Sequence, residues 1–121
     1  MSRAISIYYK FPDGSETDIE LDAPYYLFGT QATSKAFWSL PIFKEVGINT
    51  LAQLGHTDPI SFIGWEDMKD LEAEIDLMKK NIDKIGFHEE TKSRYLANLV
   101  YCHNLLVSKA PENSTPYFMI G

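Results

Sequence analysis

One cysteine in 121 residues leaves no partner for an internal disulfide, which excludes a disulfide-stapled secreted scaffold. Long apolar runs are missing as well. The stretch Ala4-Ile5-Ser6-Ile7-Tyr8-Tyr9-Lys10 is too short and too alternating to be the hydrophobic region of a signal peptide, and no run approaches the ~20 residues of a membrane span. A soluble cytoplasmic protein is therefore expected, in which the acceptor pattern Asn113-Ser114-Thr115 carries no glycan. Positive charge is the third shortage: 11 Lys and Arg stand against 17 Asp and Glu, a formal charge of −6. Such a field repels nucleic acid and anionic membranes and attracts basic surfaces, so neither of the first two is an expected partner.

Catalytic motifs fail at required positions. Gly29-Thr30-Gln31-Ala32-Thr33-Ser34-Lys35-Ala36 resembles a phosphate-binding loop, yet Ser34 stands where the second Gly is needed and Ala36 where a magnesium-binding hydroxyl is needed. A polar turn with a helix cap accounts for it better. His88-Glu89-Glu90-Thr91-Lys92 begins like a zinc-protease helix, but Lys92 replaces the second His, and His88 is expected at a solvated helix start. Asp13, Ser15 and Thr17 mimic the first ligands of a calcium loop, with Asp18 where Gly belongs and Pro24 where a closing Glu belongs. Cys102 and His103 are neighbours on a helix and diverge by ~100°, so they cannot act as nucleophile and base. Cys102 keeps register with Leu99 and Leu106 and reads as core. Gly47-Ile48-Asn49-Thr50-Leu51 has no basic cluster beside it, so a DNA-binding turn is not supported. No enzyme activity, cofactor or metal site is expected.

What the chain does have is enough apolar surface for one core: 45% of residues are hydrophobic and 13% aromatic. At this length a single domain over 1–121 is expected. Ile5, Ile7, Tyr9 and Phe11 alternate with Ser6, Tyr8 and Lys10, as in a half-buried strand. Pro12-Asp13-Gly14-Ser15 supplies a turn, and Thr17, Ile19 and Leu21 alternate with Glu16, Asp18, Glu20 and Asp22 on a return strand. Tyr25-Tyr26-Leu27-Phe28 reads either as a third strand or as a packed loop. A helix is expected from Thr33 or Ser34 through Phe37, Trp38 and Leu40 to the break at Pro41. One more turn carries Ile42, Phe43 and Val46, and Thr50 is placed to cap a short helix ending at Gly55.

The second half is more regular. Trp65, Met68, Leu71, Ile75, Met78, Ile82 and Ile85 form one apolar stripe on a helix of about six turns, stopped by Gly86. A second helix from Glu89 presents Tyr95, Leu96, Leu99, Cys102 and Leu106 and ends at Lys109 and Pro111. The short connection makes the two an antiparallel αα-hairpin. Tyr117-Phe118-Met119-Ile120 is too apolar for a free tail and is expected to dock, as a strand beside the N-terminal hairpin. The fold class is α+β: an antiparallel β-hairpin packed against short helices and a C-terminal αα-hairpin.

Two acidic surfaces follow. Glu16, Asp18, Glu20 and Asp22 project from one strand face. The first long helix carries Glu66, Asp67, Asp70, Glu72, Glu74 and Asp76 in its N-terminal half and Lys79, Lys80 and Lys84 at its end. The macrodipole accounts for part of that polarity. It does not account for six acids against the single Lys69.

A small acidic domain without catalytic equipment resembles, in its general profile, the bacterial toxin-immunity proteins, cognate inhibitors of type VI or contact-dependent toxins. The resemblance lies in size, charge and missing motifs, so it transfers no residue by position. It implies a protein that covers the basic active-site cleft of a cytosol-acting toxin domain, with acidic side chains mimicking phosphate. The interface is then expected at Glu66, Asp67, Asp70 and Glu74, and secondarily at Glu16, Asp18 and Glu20, with Tyr8 and Trp65 as anchors if they are exposed; the apolar stripe places Trp65 in the core. The alternative is an adaptor or assembly subunit that binds a protein partner through the αα-hairpin.

Overall fold

Residues 2–121 are described by a computed structural model of the protein. The chain runs β1 (Ser2–Lys10), β2 (Glu16–Asp18), β3 (Leu27–Thr30), α1 (Gln31–Trp38), α2 (Ile42–Glu45), a 3-10 turn (Leu51–Gly55), β4 (Ile60–Ile63), α3 (Gly64–Lys80), a second 3-10 turn (Ile82–Lys84), α4 (Glu89–Ser108) and β5 (Thr115–Ile120). This is an α+β fold built on one antiparallel sheet in the order β2-β1-β5-β4, with β3 pairing the start of β1. The C-terminal segment docks as the sequence suggests, and it docks centrally. Ile5 pairs with Ile120, Ile7 with Phe118 and Tyr9 with Pro116, while β5 also carries β4 through the pairs Ile60–Ile120 and Phe62–Phe118.

Alternation decides which face meets the helices. Ile5, Ile7, Tyr9, Ile60, Phe62, Phe118 and Ile120 all point inward and are buried. Against them pack α1, α3 and α4 through Phe37, Trp38, Met68, Leu71, Ile75, Met78, Tyr95, Leu99, Cys102 and Leu106. Phe37 is the hub of an aromatic cluster, with ring centroids 4.9 Å from Trp38 and 5.1 Å from each of Phe43, Phe87 and Tyr95. Tyr9 reaches through the core to donate its hydroxyl proton to the Leu106 carbonyl, tying β1 to the end of α4.

Several details differ from the sequence reading. The return strand is only Glu16–Asp18. Beyond it the chain bonds β1 at single points, Ile19 N–H to the Ile7 carbonyl at 3.1 Å and Ile5 N–H to the Tyr26 carbonyl at 2.8 Å, so residues 19–26 shield the strand edge as a loop. Tyr25-Tyr26-Leu27-Phe28 splits between that loop and β3. Helix α1 starts at Gln31, two or three residues early, because the Thr30 hydroxyl accepts the Thr33 N–H at 3.1 Å. The sequence reading contains no strand where β4 lies.

Helix α3 ends at Lys80 instead of running to Ile85. The Asn81 side chain donates to the Leu77 carbonyl at 2.8 Å, and the 3-10 turn that follows is held by Lys92, whose ammonium donates to the Ile82 and Ile85 carbonyls at 2.8 and 3.0 Å. Its other end also departs from expectation. Trp65 begins the apolar stripe by spacing but is 44% exposed. Helix α3 leaves directly from edge strand β4 at Gly64, whose φ of +87° lets the chain reverse, so the first turn lies at the rim of the sheet with nothing packed over it.

Candidate functional site: an open sheet face edged by carboxylates

On the outer face of the sheet Ser6, Ser61 and Ile63 are exposed and Tyr8, Tyr117 and Met119 only partly buried, so no described element covers it. Strand register lines up one row across all four strands: Asp18 on β2 beside Tyr8 on β1, beside Tyr117 on β5, beside Ile63 on β4. At the usual strand spacing the row is about 14 Å long. Tyr8 and Tyr117 stack with centroids 4.9 Å apart and planes 13° from parallel, which presents a flat aromatic platform. Ser6, Met119 and Ser61 form the next row. Ile63 is 46% exposed, and Trp65, two residues on, extends the apolar surface past the edge. Large apolar side chains on an uncovered sheet face are the usual mark of a contact surface.

Charge brackets this platform. On the β2 side Glu16 and Asp18 stand on the outer face as the alternation requires, with Glu20 and Asp22 exposed in the loop beyond. Lys10 lies 3.8 Å from Glu16 and 4.9 Å from the Tyr117 ring centre, so Glu16 is the partly neutralised member. On the β4 side Glu66 and Asp70 are exposed at the start of α3. The two acidic segments thus belong to opposite ends of the strand order, one on and after edge strand β2 and the other in the helix that follows edge strand β4.

Two of the acids expected at an interface have structural duties. Glu74 is 7% exposed, and its carboxylate accepts the N–H groups of Asn49, Thr50 and Leu51 at 3.3, 3.0 and 2.9 Å. It caps the Leu51–Gly55 turn across the fold. Thr50 sits at the cap position but makes no side-chain cap bond. Glu74 is therefore removed from the interface. Asp67 is half-buried and accepts the Ile63 N–H at 2.8 Å, closing the first turn of α3 as a capping residue does.

Other features resolve in favour of structure. Asp13 accepts the Ser15 N–H at 2.9 Å and its hydroxyl at 2.6 Å, a turn that holds its carboxyl below the usual range. Among the described residues no three His, Cys, Asp or Glu side chains group as a metal site, and no helix is long and apolar enough to cross a membrane. The outer side of the helix pair carries a shallow groove near Ile82, Leu96, Val100 and Tyr101, with Val107 exposed nearby.

Cys102 is fully buried, and burial pushes its thiol up to about 12. The thiol is expected to resist a disulfide reagent at about pH 8 in the native protein and to react fully in denaturant. Reaction at a free thiol's rate in native buffer would contradict its burial. Because the folded-state value is raised, its contribution to stability is complete below an unfolded value near 9 and is lost as pH rises towards 12. Tyr9 and Tyr95, also raised by burial, act in the same direction from about pH 10. Comparison of the chain with protein-family models, curated proteins and solved structures finds no match.

Proposed function

We propose that this protein binds a basic protein partner across the outer face of its sheet, and that in its most specific form it is an immunity protein covering the active-site cleft of a toxin domain. The observation that carries the reading is the partly exposed Tyr8–Tyr117 platform, flanked by Asp18 on β2 at one edge and by Ile63 on β4 at the other, where the chain runs on into the exposed Trp65, Glu66 and Asp70 of α3. Aromatic side chains in the middle supply desolvated contact area at low entropic cost. Carboxylates at the rim steer a cationic surface into register and raise the association rate more than the final affinity. A cleft built for a nucleic-acid backbone has the complementary charge.

The test asks first whether a toxin domain is encoded beside this gene, whose absence would count against immunity; with such a domain, binding is followed by surface plasmon resonance and protection by survival of cells expressing it. Tyr117→Ala is expected to weaken binding by about thirtyfold, a hot-spot loss of ~2 kcal/mol, with faster dissociation. Asp18→Lys combined with Asp70→Lys is expected to slow association about tenfold at low salt, with the difference closing near 0.5 M salt. Asp67 and Glu74 are left intact because their replacement would disturb α3 and the Leu51–Gly55 turn. Unchanged kinetics in both variants would remove this face as the interface. Salt-insensitive binding lost on changing Tyr101 and Val107 would point instead to an adaptor working through the helix pair.

A further inference from the structure

On the other side of the molecule, where β1 and β3 start and α4 begins, lies a cavity of about 750 Å³. Its walls include Arg3, Thr30, Thr33, His88, Arg94 and Tyr95. Both motif fragments that fail as catalytic signatures, the one starting at Gly29 and the one starting at His88, meet here.

The cavity holds an electrostatic imbalance. Arg3 is 2% exposed, yet among the described residues no carboxylate lies within ion-pair distance of it. Its Nε donates to Gln31 Oε1 at 3.3 Å, and its Nη1 donates to Ser34 Oγ at 3.1 Å and the Leu54 carbonyl at 2.6 Å. Asp58 is linked to it only through the Gln31 amide. Three of five guanidinium donors are thus used, all on neutral acceptors, which is an expensive way to bury a charge. The two acids in the wall do not correct this. Glu89 pairs with Lys92 at 2.9 Å and Glu90 with Arg94 at 3.3 Å, so each is matched by its own cation.

Two further groups point the same way. Tyr95 is 1% exposed and its hydroxyl, beside Ser34, makes no well-formed hydrogen bond among the described residues, and it stands against Gly29 at a distance that leaves no room for a Cβ there. Helix α4 has no side-chain cap at His88, so the start of the helix is left open to a negatively charged group. A buried hydroxyl without a well-formed hydrogen bond, a buried cation without an anion and an uncapped helix start all have room for the same kind of group.

We propose that this cavity is a binding site for a small oxyanion, a carboxylate or phosphate ester carried on an apolar or aromatic body. The anion sits between Arg3, Arg94 and the start of α4. The body lies against Leu27 and the Tyr95 ring. This site is separate from the sheet face and stands whether or not that face binds a protein.

Titration of the labelled protein with phenyl phosphate, benzoate and inorganic phosphate, followed by NMR, tests it. Saturable shifts are expected at Arg3, Gly29, Thr33, Thr91 and Arg94 with either aromatic probe, at a dissociation constant of about 1 mM or tighter. The tighter of the two identifies the anion, and inorganic phosphate is expected to bind more weakly than phenyl phosphate. Arg3→Lys, which keeps the charge but loses the planar fork, is expected to weaken binding about tenfold. If that variant fails to fold, Arg94→Gln decides, since Arg94 is exposed and among the described residues pairs with Glu90 alone; a loss of about threefold or more is expected. Absence of saturation by about 20 mM, shifts centred on Lys79, Lys80 and Lys84, or binding unchanged by Arg94→Gln would overturn the proposal.

Discussion

Replacing Glu74 by alanine is expected to lower the melting temperature by about 10 °C, corresponding to a loss of ~3 kcal/mol for a domain of this size. The figure follows from what the carboxylate holds. Three backbone N–H groups at Asn49, Thr50 and Leu51 converge on it, and Leu51 is fully buried behind them. Hydrogen bonds to an ionised acceptor are worth roughly twice neutral ones, and truncation leaves the donors without partners in a site that water reaches poorly. Glu74→Gln keeps one carbonyl acceptor and the shape, and is expected to recover about half of the loss. Glu72→Ala is the control: it is two residues away, about 200° around the same helix on its exposed side, and should shift the midpoint by no more than about 1 °C. Thermal and urea denaturation of the three variants decide the matter. A Glu74→Ala protein as stable as Glu72→Ala would mean that the Leu51–Gly55 turn does not depend on this cap.

Glu74 also shows where the sequence could be read and where it could not. As a charge pattern, six acids in one helical half look alike. Register separates them: Glu74 falls three residues after Leu71 and four before Met78, on the flank of the apolar stripe, and that position was the available signal that it faces inward. Its partners were invisible, because they are backbone groups of a turn more than twenty residues earlier. The same limit explains β4. Ile60-Ser61-Phe62-Ile63 is four residues between Pro59 and Gly64, too short for alternation to stand out, and it becomes a strand only because β5 arrives from the far end of the chain to pair with it. Elements that bury one face of a long regular segment were legible: β1, β5, α4 and most of α3. The open sheet face was half legible. Alternation put Glu16, Asp18 and Tyr8 on the outer side of the hairpin, but Tyr117 and Ile63 joined that row only through strand order, which no local pattern encodes. Trp65 was misplaced for the complementary reason, since a stripe by spacing buries a residue only where another element lies opposite.

The largest loss of stability is expected from Phe37→Ala, about 4 kcal/mol, enough to remove much of the 5–15 kcal/mol typical of a domain. Phe37 is fully buried and meets Trp38, Phe87 and Tyr95 edge to face, with Phe43 tilted against it. These partners come from α1, α2, the α3–α4 connection and α4, so one side chain couples the short helices of the middle third to the helix pair. Its removal opens a cavity that stacked rings cannot readily collapse into, which places the cost at the upper end of the range for large-to-small changes. Phe37→Leu retains most of the volume without the ring quadrupole and is expected to cost about 1.5 kcal/mol. Tyr117→Ala removes an aromatic of similar size from the outer face and is expected to cost less than about 1 kcal/mol, since its ring packs on Tyr8 alone among aromatics and is only partly buried. The contrast is what makes the pair informative. Urea midpoints at unchanged slope should fall steeply for Phe37→Ala and hardly at all for Tyr117→Ala, so that any loss of partner binding in the latter reports on contact and not on folding. Equal destabilisation by the two would place Tyr117 in the stabilising core and withdraw the sheet face as a surface available for binding.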